Sequence, residues 1–336
     1  MKQTILITGG AGYIGSVVTR AMLNSGYQVI CVDKLAFGGA SLLGLWHHPD
    51  FKFHRCDITD FDAFEMILRD EKPDAVIHLA AIVGDPACSR EPELAKKINW
   101  EASKWLVDAC RRLGIEKFLF ASTCSNYGKM GDNSTFVTED SALSPVSLYA
   151  ELKVKLEQYL LDEIPQDDNF TPTALRFATV YGVSPRMRFD LTVNEFTKEL
   201  FLGKELLVFG EQFWRPYCHV KDFANAFQAV LNAPREKVAY DVFNVGSTDE
   251  NYTKQMVIDE IKKFIPTAVI KYVKKTEDPR DYRVNFDKIK SLLGFEITMR
   301  VPDGIKEIEQ ILSEGIICET EDQMYYNIPH KCNVTV

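Results

Sequence analysis

A chain of 336 residues with 46% hydrophobic content has enough apolar side chain for one large domain or two smaller ones, which excludes a disordered protein. A formal charge of -9 and a pI near 5.3 exclude the basic face that a nucleic-acid backbone demands. The eight cysteines form no CxxC pair, His47 and His48 are adjacent rather than at a metal-ligand spacing, and no run reaches the ~18 apolar residues of a membrane span; we expect no metal, no membrane and a reducing compartment, the cytoplasm.

The first expected element is a strand over 4–8, with Ile5, Leu6 and Ile7 in an unbroken apolar run. Gly9, Gly12 and Gly15 follow it and open a helix through Tyr13 and Ile14. Glycines spaced this way turn the chain, leave room for a dinucleotide pyrophosphate and let the helix pack close, while the helix N-terminus meets the anion. A second strand, 29–33, ends at Asp33, placed to accept hydrogen bonds from ribose hydroxyls. A carboxylate there repels a 2'-phosphate, so the cofactor expected is NAD, although Lys34 offsets part of that repulsion.

Further apolar runs near 51–56, 74–79, 117–122 and 172–177 alternate with helix-period segments such as Ala63 to Leu68. This is the rhythm of an α/β, Rossmann-type doubly wound parallel sheet. Long amphipathic helices fit 93–113 and 148–163. After the fifth strand comes a hydroxyl-rich turn, Ser122 to Gly128, at the sheet edge where such folds bind ligands. Tyr149 and Lys153 then lie four apart on one helix face, where an ammonium favours a phenolate able to take a hydroxyl proton. The same spacing recurs at Tyr217 and Lys221, so it points to catalysis only in company with the glycine loop, Asp33 and Thr123. Past about 180 the rhythm changes: a loop with Pro185, Arg186 and Arg188, a helix near 192–202, a strand at 206–209, a helix over 221–233 and a strand at 241–246 that returns to the sheet. The expected division is a cofactor-binding domain, 1–180 plus about 218–250, a smaller discontinuous substrate domain, 181–217 plus about 251–320, and a tail, 321–336.

Taken together, TGGAGYIG (8–15), Asp33, Asp57-Ile58, HLAA (78–81), STCSNYG (122–128), YAELK (149–153), LRFATVYG (175–182) and RPYCHVKD (215–222) resemble the extended short-chain dehydrogenase/reductases, the NAD-dependent epimerase/dehydratase family acting on nucleotide sugars. The resemblance implies a catalytic set of Thr123, Tyr149 and Lys153, with Thr123 orienting the carbon-4 hydroxyl and Lys153 also holding the nicotinamide ribose. It implies that Asp57 and Ile58 contact adenine, that Leu79, Ala80 and Ala81 line the cofactor, and that Phe177 to Val180 flank the nicotinamide and the sugar. Arg215 and Arg280 are implied for the nucleotide diphosphate, and Ser125, Asn126, Thr179, Arg188 and Asn194 join the substrate-binding candidates. A nucleoside-diphosphate sugar as substrate and a homodimer paired through 93–113 and 148–163 are implied as partners.

Two departures narrow the chemistry. The family's 4,6-dehydratases carry an Asp-Glu pair just after the active-site threonine, where this chain has Cys124 and Ser125. Dehydration is therefore disfavoured, and oxidation at carbon 4 leads either to an epimer or to a released keto sugar. The stretch 180–197, with VGDPAC (83–88), is similar to a branch that includes nucleotide-linked heptose 4-dehydrogenases. Arg186 and Arg188 fit two readings there, contact with phosphate or a longer sugar side chain, or a brace for the loop. A 4-keto reductase would favour NADPH, against Asp33, and a non-catalytic NAD sensor would be expected to lack the tyrosine-lysine pair.

Overall fold

Apolar alternation sets the central layer. The computed structural model describes residues 2–129, 135–167, 169–273 and 280–328. The first half runs β1 (Thr4–Thr8), α1 (Tyr13–Asn24), β2 (Gln28–Asp33), β3 (Phe51–Arg55), α2 (Phe61–Glu71), β4 (Ala75–His78), α3 (Asp85–Arg90), α4 (Pro92–Lys96), α5 (Ser103–Arg112), β5 (Lys117–Thr123), α6 (Leu148–Gln158) and β6 (Thr171–Phe177). The second half runs β7 (Thr179–Tyr181), α7 (Thr192–Phe201), β8 (Leu206–Phe209), β9 (Trp214–His219), α8 (Val220–Asn232), β10 (Asp241–Val245), β11 (Asn251–Thr253), α9 (Lys254–Phe264), β12 (Ile270–Val273), α10 (Asp287–Leu293) and α11 (Val301–Ser313).

Seven parallel strands form the main sheet in the order β10-β6-β5-β4-β1-β2-β3. It is a Rossmann-type doubly wound sheet, whose chain direction across the layer reverses between β1 and β4 and opens a crevice at their carboxyl ends. Ile5 and Ile7 face one core, with residues of α1 and α8, while Leu6 faces the other, with residues of α2, α5 and α6. Each strand therefore reads as a continuous apolar run because both faces are covered. A third core gathers Tyr181, Phe196, Val208, Tyr217, Ile258 and Ile305 around a three-stranded sheet, β11-β9-β7, and the parallel pair β12-β8.

The single helix expected over 93–113 is broken. Residues Lys97–Ala102 are wound as a π-helix between α4 and α5. The wider turn lets the Asn99 carboxamide clasp both backbone groups of Ile82 at 2.8 Å, and Ser103 Oγ donates to the carbonyl of Ile98 at 2.9 Å. Such bulges cluster at functional sites. The helix expected over 148–163 likewise changes to a π-helix at Tyr159–Glu163.

The expected tail is packed in its described part. Tyr326 is 4% exposed, and its hydroxyl lies 2.9 Å from Lys198 Nζ. Apolar contacts to Phe189 and Leu312 hold it there, so 321–328 is part of the body; 329–336 lies outside the described residues. Among the described residues no helix is long and apolar enough to cross a membrane.

Candidate active site

The glycine turn is built as its spacing requires. Gly9 adopts φ +72°, and a Cβ there would meet the Ala80 backbone nitrogen at 2.9 Å, so the turn lies directly against the loop after β4. A Cβ on Gly15 would overlap the Gly9 carbonyl oxygen. The α1 N-terminus, with Tyr13 and Ile14 in its first turn, is thereby pressed onto the strand end, where its unpaired amides form an anion seat.

Asp33 is fixed by backbone, its Oδ2 accepting from Ala11 N–H at 3.1 Å and its Oδ1 from Leu35 N–H at 2.7 Å. Burial raises its carboxyl above the ordinary value, although both amides and Lys34 favour the charge. Lys34 pairs with Asp57 at 3.3 Å, and Asp57 also accepts from Thr59, which places the two adenosine-end candidates side by side with Ile58 buried beside them. Thr8 Oγ1 accepts from the amides of Leu79 and Ala80, both at 3.1 Å, so its own proton goes to His78 Nδ1 at 2.8 Å. His78 Nε2 then donates to Ser103 Oγ at 2.8 Å. Burial pushes the His78 imidazole down to about 3, so it stays neutral and holds Leu79 to Ala81 against the cradle.

On the opposite wall, Ser147 caps α6 by accepting from Ala150 N–H at 3.3 Å and sets Tyr149 in the first turn. The Lys153 ammonium lies 5.8 Å from the centre of the Tyr149 ring and 4.6 Å from that of Phe120, and donates to the Ala121 carbonyl at 2.7 Å. That carbonyl belongs to β5, which ends at Thr123, so one strand terminus carries both Thr123 and the anchor for Lys153. Burial pushes Lys153 down to about 8. The sequence expectation was a phenol lowered by this lysine. In the folded chain burial pushes Tyr149 well up, with Cys88 and Asp85 adding and Arg188 opposing.

Toward the smaller sheets, Tyr282 joins the substrate candidates. Its phenol hydrogen-bonds Ser125, and the Arg215 guanidinium lies 5.3 Å from its ring centre. Arg280, two residues earlier, pairs with Asp85 at 2.9 Å, and Asp85 accepts from the capping Ser147 at 2.6 Å. Phe177 stacks on Phe223 at 4.0 Å, while Thr179 and Val180 on β7 pair in register with Tyr217 and Cys218.

Comparison with known proteins decides the lineage, because residues 5–246 match the NAD dependent epimerase/dehydratase family. The chain belongs to that family. It is 28% identical over 281 residues to the UDP-glucose 4-epimerase of Bacillus subtilis, covering 78% of this chain and 81% of the relative. The crystal structure of Thermotoga maritima UDP-glucose 4-epimerase with UDP-glucose superposes with a TM-score of 0.82 at 28% identity, covering 94% of this chain and 100% of that one. The UDP-glucuronic acid 4-epimerase of Bacillus cereus, solved with UDP-glucuronic acid and NAD, gives 0.82 at 26% identity, covering 93% and 99%. NAD is the cofactor of this epimerase/dehydratase family member, and the glycine turn, Asp33 and Lys153 fit it.

Several candidates in this family member are engaged elsewhere. Asn126 is fully buried, and its amide donates to Ser122 Oγ and to Glu157 of a buried Glu157–Arg176 ion pair, so it braces the turn below Thr123, while its Oδ1 has no hydrogen-bond partner among the described residues. Asn194 is also fully buried and binds Gly182 N–H, the Arg188 carbonyl and Tyr13 Oη, tying the 182–188 loop to the glycine turn. Arg188 forks onto Asp190 at 2.8 and 3.0 Å. Cys124 is 1% exposed and donates to the Arg176 carbonyl, and His219 caps α8 while bonding Glu307 at 2.7 Å. Sequence reading passed over His78, Asn99, Asp85 and Tyr282. His78 stood within the HLAA motif and Tyr282 within DPRDY, but nothing local separated them from core residues.

Proposed function

We propose that this protein oxidises carbon 4 of a nucleoside-diphosphate sugar and returns the hydride to the opposite face, as a nucleotide-sugar 4-epimerase. The observation that carries the proposal is the convergence of Tyr149, Lys153 and Thr123 on the end of β5, with Lys153 held by Ala121. Thr123 Oγ1 accepts from Ser125 N–H at 3.1 Å, which leaves its proton to orient a sugar oxygen. The Tyr149 phenolate, which the Lys153 ammonium stabilises, takes the proton of the carbon-4 hydroxyl and becomes the neutral phenol. NAD, when bound, supplies the hydride acceptor and, in its oxidised form, a further positive charge favouring that phenolate. Arg215 and Arg280, flanking Tyr282, offer guanidinium forks to the diphosphate. The smaller region, 181–217 with about 251–320, is the substrate side in this proposal. The relatives' names and bound sugars support a UDP-sugar, and the buried Cys124 thiol speaks against a dehydratase, which needs a carboxylic acid there.

The test incubates the purified protein with UDP-glucose, UDP-N-acetylglucosamine and UDP-glucuronate, following NADH absorbance and products by NMR. Epimer formation without net NADH is expected, and Tyr149→Phe should lose ~10³-fold in turnover while still binding NAD and UDP. Undiminished turnover in that variant overturns the catalytic assignment. Stoichiometric NADH with a keto sugar overturns the epimerase in favour of a 4-dehydrogenase.

A further inference from the structure

Beside the glycine cradle lies a buried cation with no hydrogen-bonded counter-ion among the described residues. Arg186 is 6% exposed. Its Nη1 donates to Asn327 Oδ1 at 2.8 Å, its Nη2 to the Tyr326 carbonyl at 3.4 Å, and its guanidinium lies 4.2 Å from the centre of the Phe37 ring. All three partners are neutral, and Arg186 Nε is buried with no hydrogen-bond partner among the described residues. Arg188 is matched, by contrast, because Asp190 receives its fork; the remaining demand on Asp190 is the Asn327 amide at 3.0 Å. Burial, with Arg188 adding and Asp190 opposing, disfavours the charged form of Arg186, yet a guanidinium does not give up its proton in a protein. A buried charge of this kind calls for an anion.

The position of the loop says which anion. Ser184 Oγ donates to the Tyr13 carbonyl at 2.6 Å and meets Ser16 Oγ at 3.1 Å, and Tyr13 Oη donates to the Gly182 carbonyl at 2.5 Å. The segment carrying Arg186 therefore lies on the first turn of α1. Phe37, on the other side, stands four residues past Asp33. Arg186 thus lies in a segment seated on the first turn of α1, which faces the pyrophosphate, and its guanidinium reaches Phe37 of the β2 loop, which follows the ribose acceptor Asp33.

We propose that Arg186 is a ligand of the cofactor's pyrophosphate and that the C-terminal segment 320–328 straps it in place, so that NAD is retained from one turnover to the next. The strap is anchored three ways. Phe189 N–H donates to the Tyr325 carbonyl at 3.0 Å, Asn327 holds Arg186, and the buried Lys198 donates to Tyr326 Oη while pairing with Glu199 and Glu321. The inference rests on NAD as cofactor and does not depend on which sugar reacts.

The experiment measures dissociation of bound NADH, by loss of its fluorescence on chasing the full-length protein with excess NAD. Arg186→Met should speed dissociation by ~10-fold or more, Arg186→Lys by less, and Asn327→Ala by several-fold, with UDP affinity changed less than about twofold. Removing an unmatched buried charge should leave the melting temperature of the ligand-free protein unchanged or higher. Salt should speed dissociation from the wild type more than from Arg186→Met. Dissociation within about twofold of wild type in both Arg186 variants overturns the assignment. So does weakened UDP binding with NADH unaffected, which would move the anion to the substrate's diphosphate. Should Arg186→Met fail to fold, the Arg186→Lys and Asn327→Ala comparisons decide alone.

Discussion

Lys153 meets two opposed demands. The proposed catalysis needs its charge under Tyr149, while its surroundings give that charge one carbonyl, Ala121, and the face of Phe120. Its ordinary value of 10.5 falls to about 8 on folding, so between those pH values the unfolded chain binds more protons and stability rises with pH. Below about 8 the whole cost stands, ~3 kcal/mol at 1.36 kcal/mol per unit, offset by ~1 kcal/mol for the hydrogen bond. Lys153→Met is therefore expected to be more stable than wild type by ~2 kcal/mol at pH 7, with the gap closing toward pH 10.5, and to lose turnover. Urea unfolding at both pH values checks it; a gap independent of pH, or a less stable variant at pH 7, contradicts it. At this scale the shared face of Tyr149 and Lys153 was legible from α-helical spacing, and the glycine loop, Asp33 and Thr123 set that pair apart from Tyr217 and Lys221. The direction of the Tyr149 shift was not, since it comes first from burial and then from the charges of Cys88 and Asp85, which a distant segment brings beside it.

The glycine turn separates two jobs that one motif combines. A Cβ at Gly12 would meet only the Gly9 carbonyl oxygen, at 3.2 Å, whereas one at Gly15 would overlap it and come within 2.7 Å of Gly10 Cα. Gly15→Ala should therefore destabilise by ~1–3 kcal/mol as α1 is forced off the strand, and lose NAD affinity as a consequence. Gly12→Ala should change stability by less than ~1 kcal/mol while still weakening NAD, because its side chain intrudes where phosphate sits. Thermal melts with NADH titrations of both variants check this, and equal stability losses would refute it. Among the elements, the main-sheet strands were readable as apolar runs, since both faces are buried. The π-helix over 97–102 was not, because its extra width serves Asn99, whose partner Ile82 is supplied by a different loop. β9 was read only as the motif RPYCH; Pro216 interrupts the strand signal, and its pairing with β7 and β11 is non-local.

For the whole molecule we propose a homodimer through the segments around α5 and α6. Trp100, Trp105 and Tyr159 are only partly covered there, with Lys155 4.0 Å above the Trp100 ring centre, which leaves an aromatic face for a second copy. Light scattering on the eluting protein should give close to twice the 38.2 kDa of one chain; a single-chain mass at micromolar concentration rejects the dimer. From its sequence alone this protein was determined as an NAD-binding α/β chain with a tyrosine-lysine pair after its fifth strand. Those features are written in short-range spacing, glycines three apart, a helix turn, an apolar run. Only the tertiary structure decided that Asn126 and Asn194 are braces, that Asp85 ties Arg280 to the cap of α6, and that the C-terminal segment holds Arg186 over the cradle. Each of those roles rests on a contact between residues far apart in the chain, Tyr13 in the case of Asn194, and their meeting depends on how the layers pack, which local spacing does not encode.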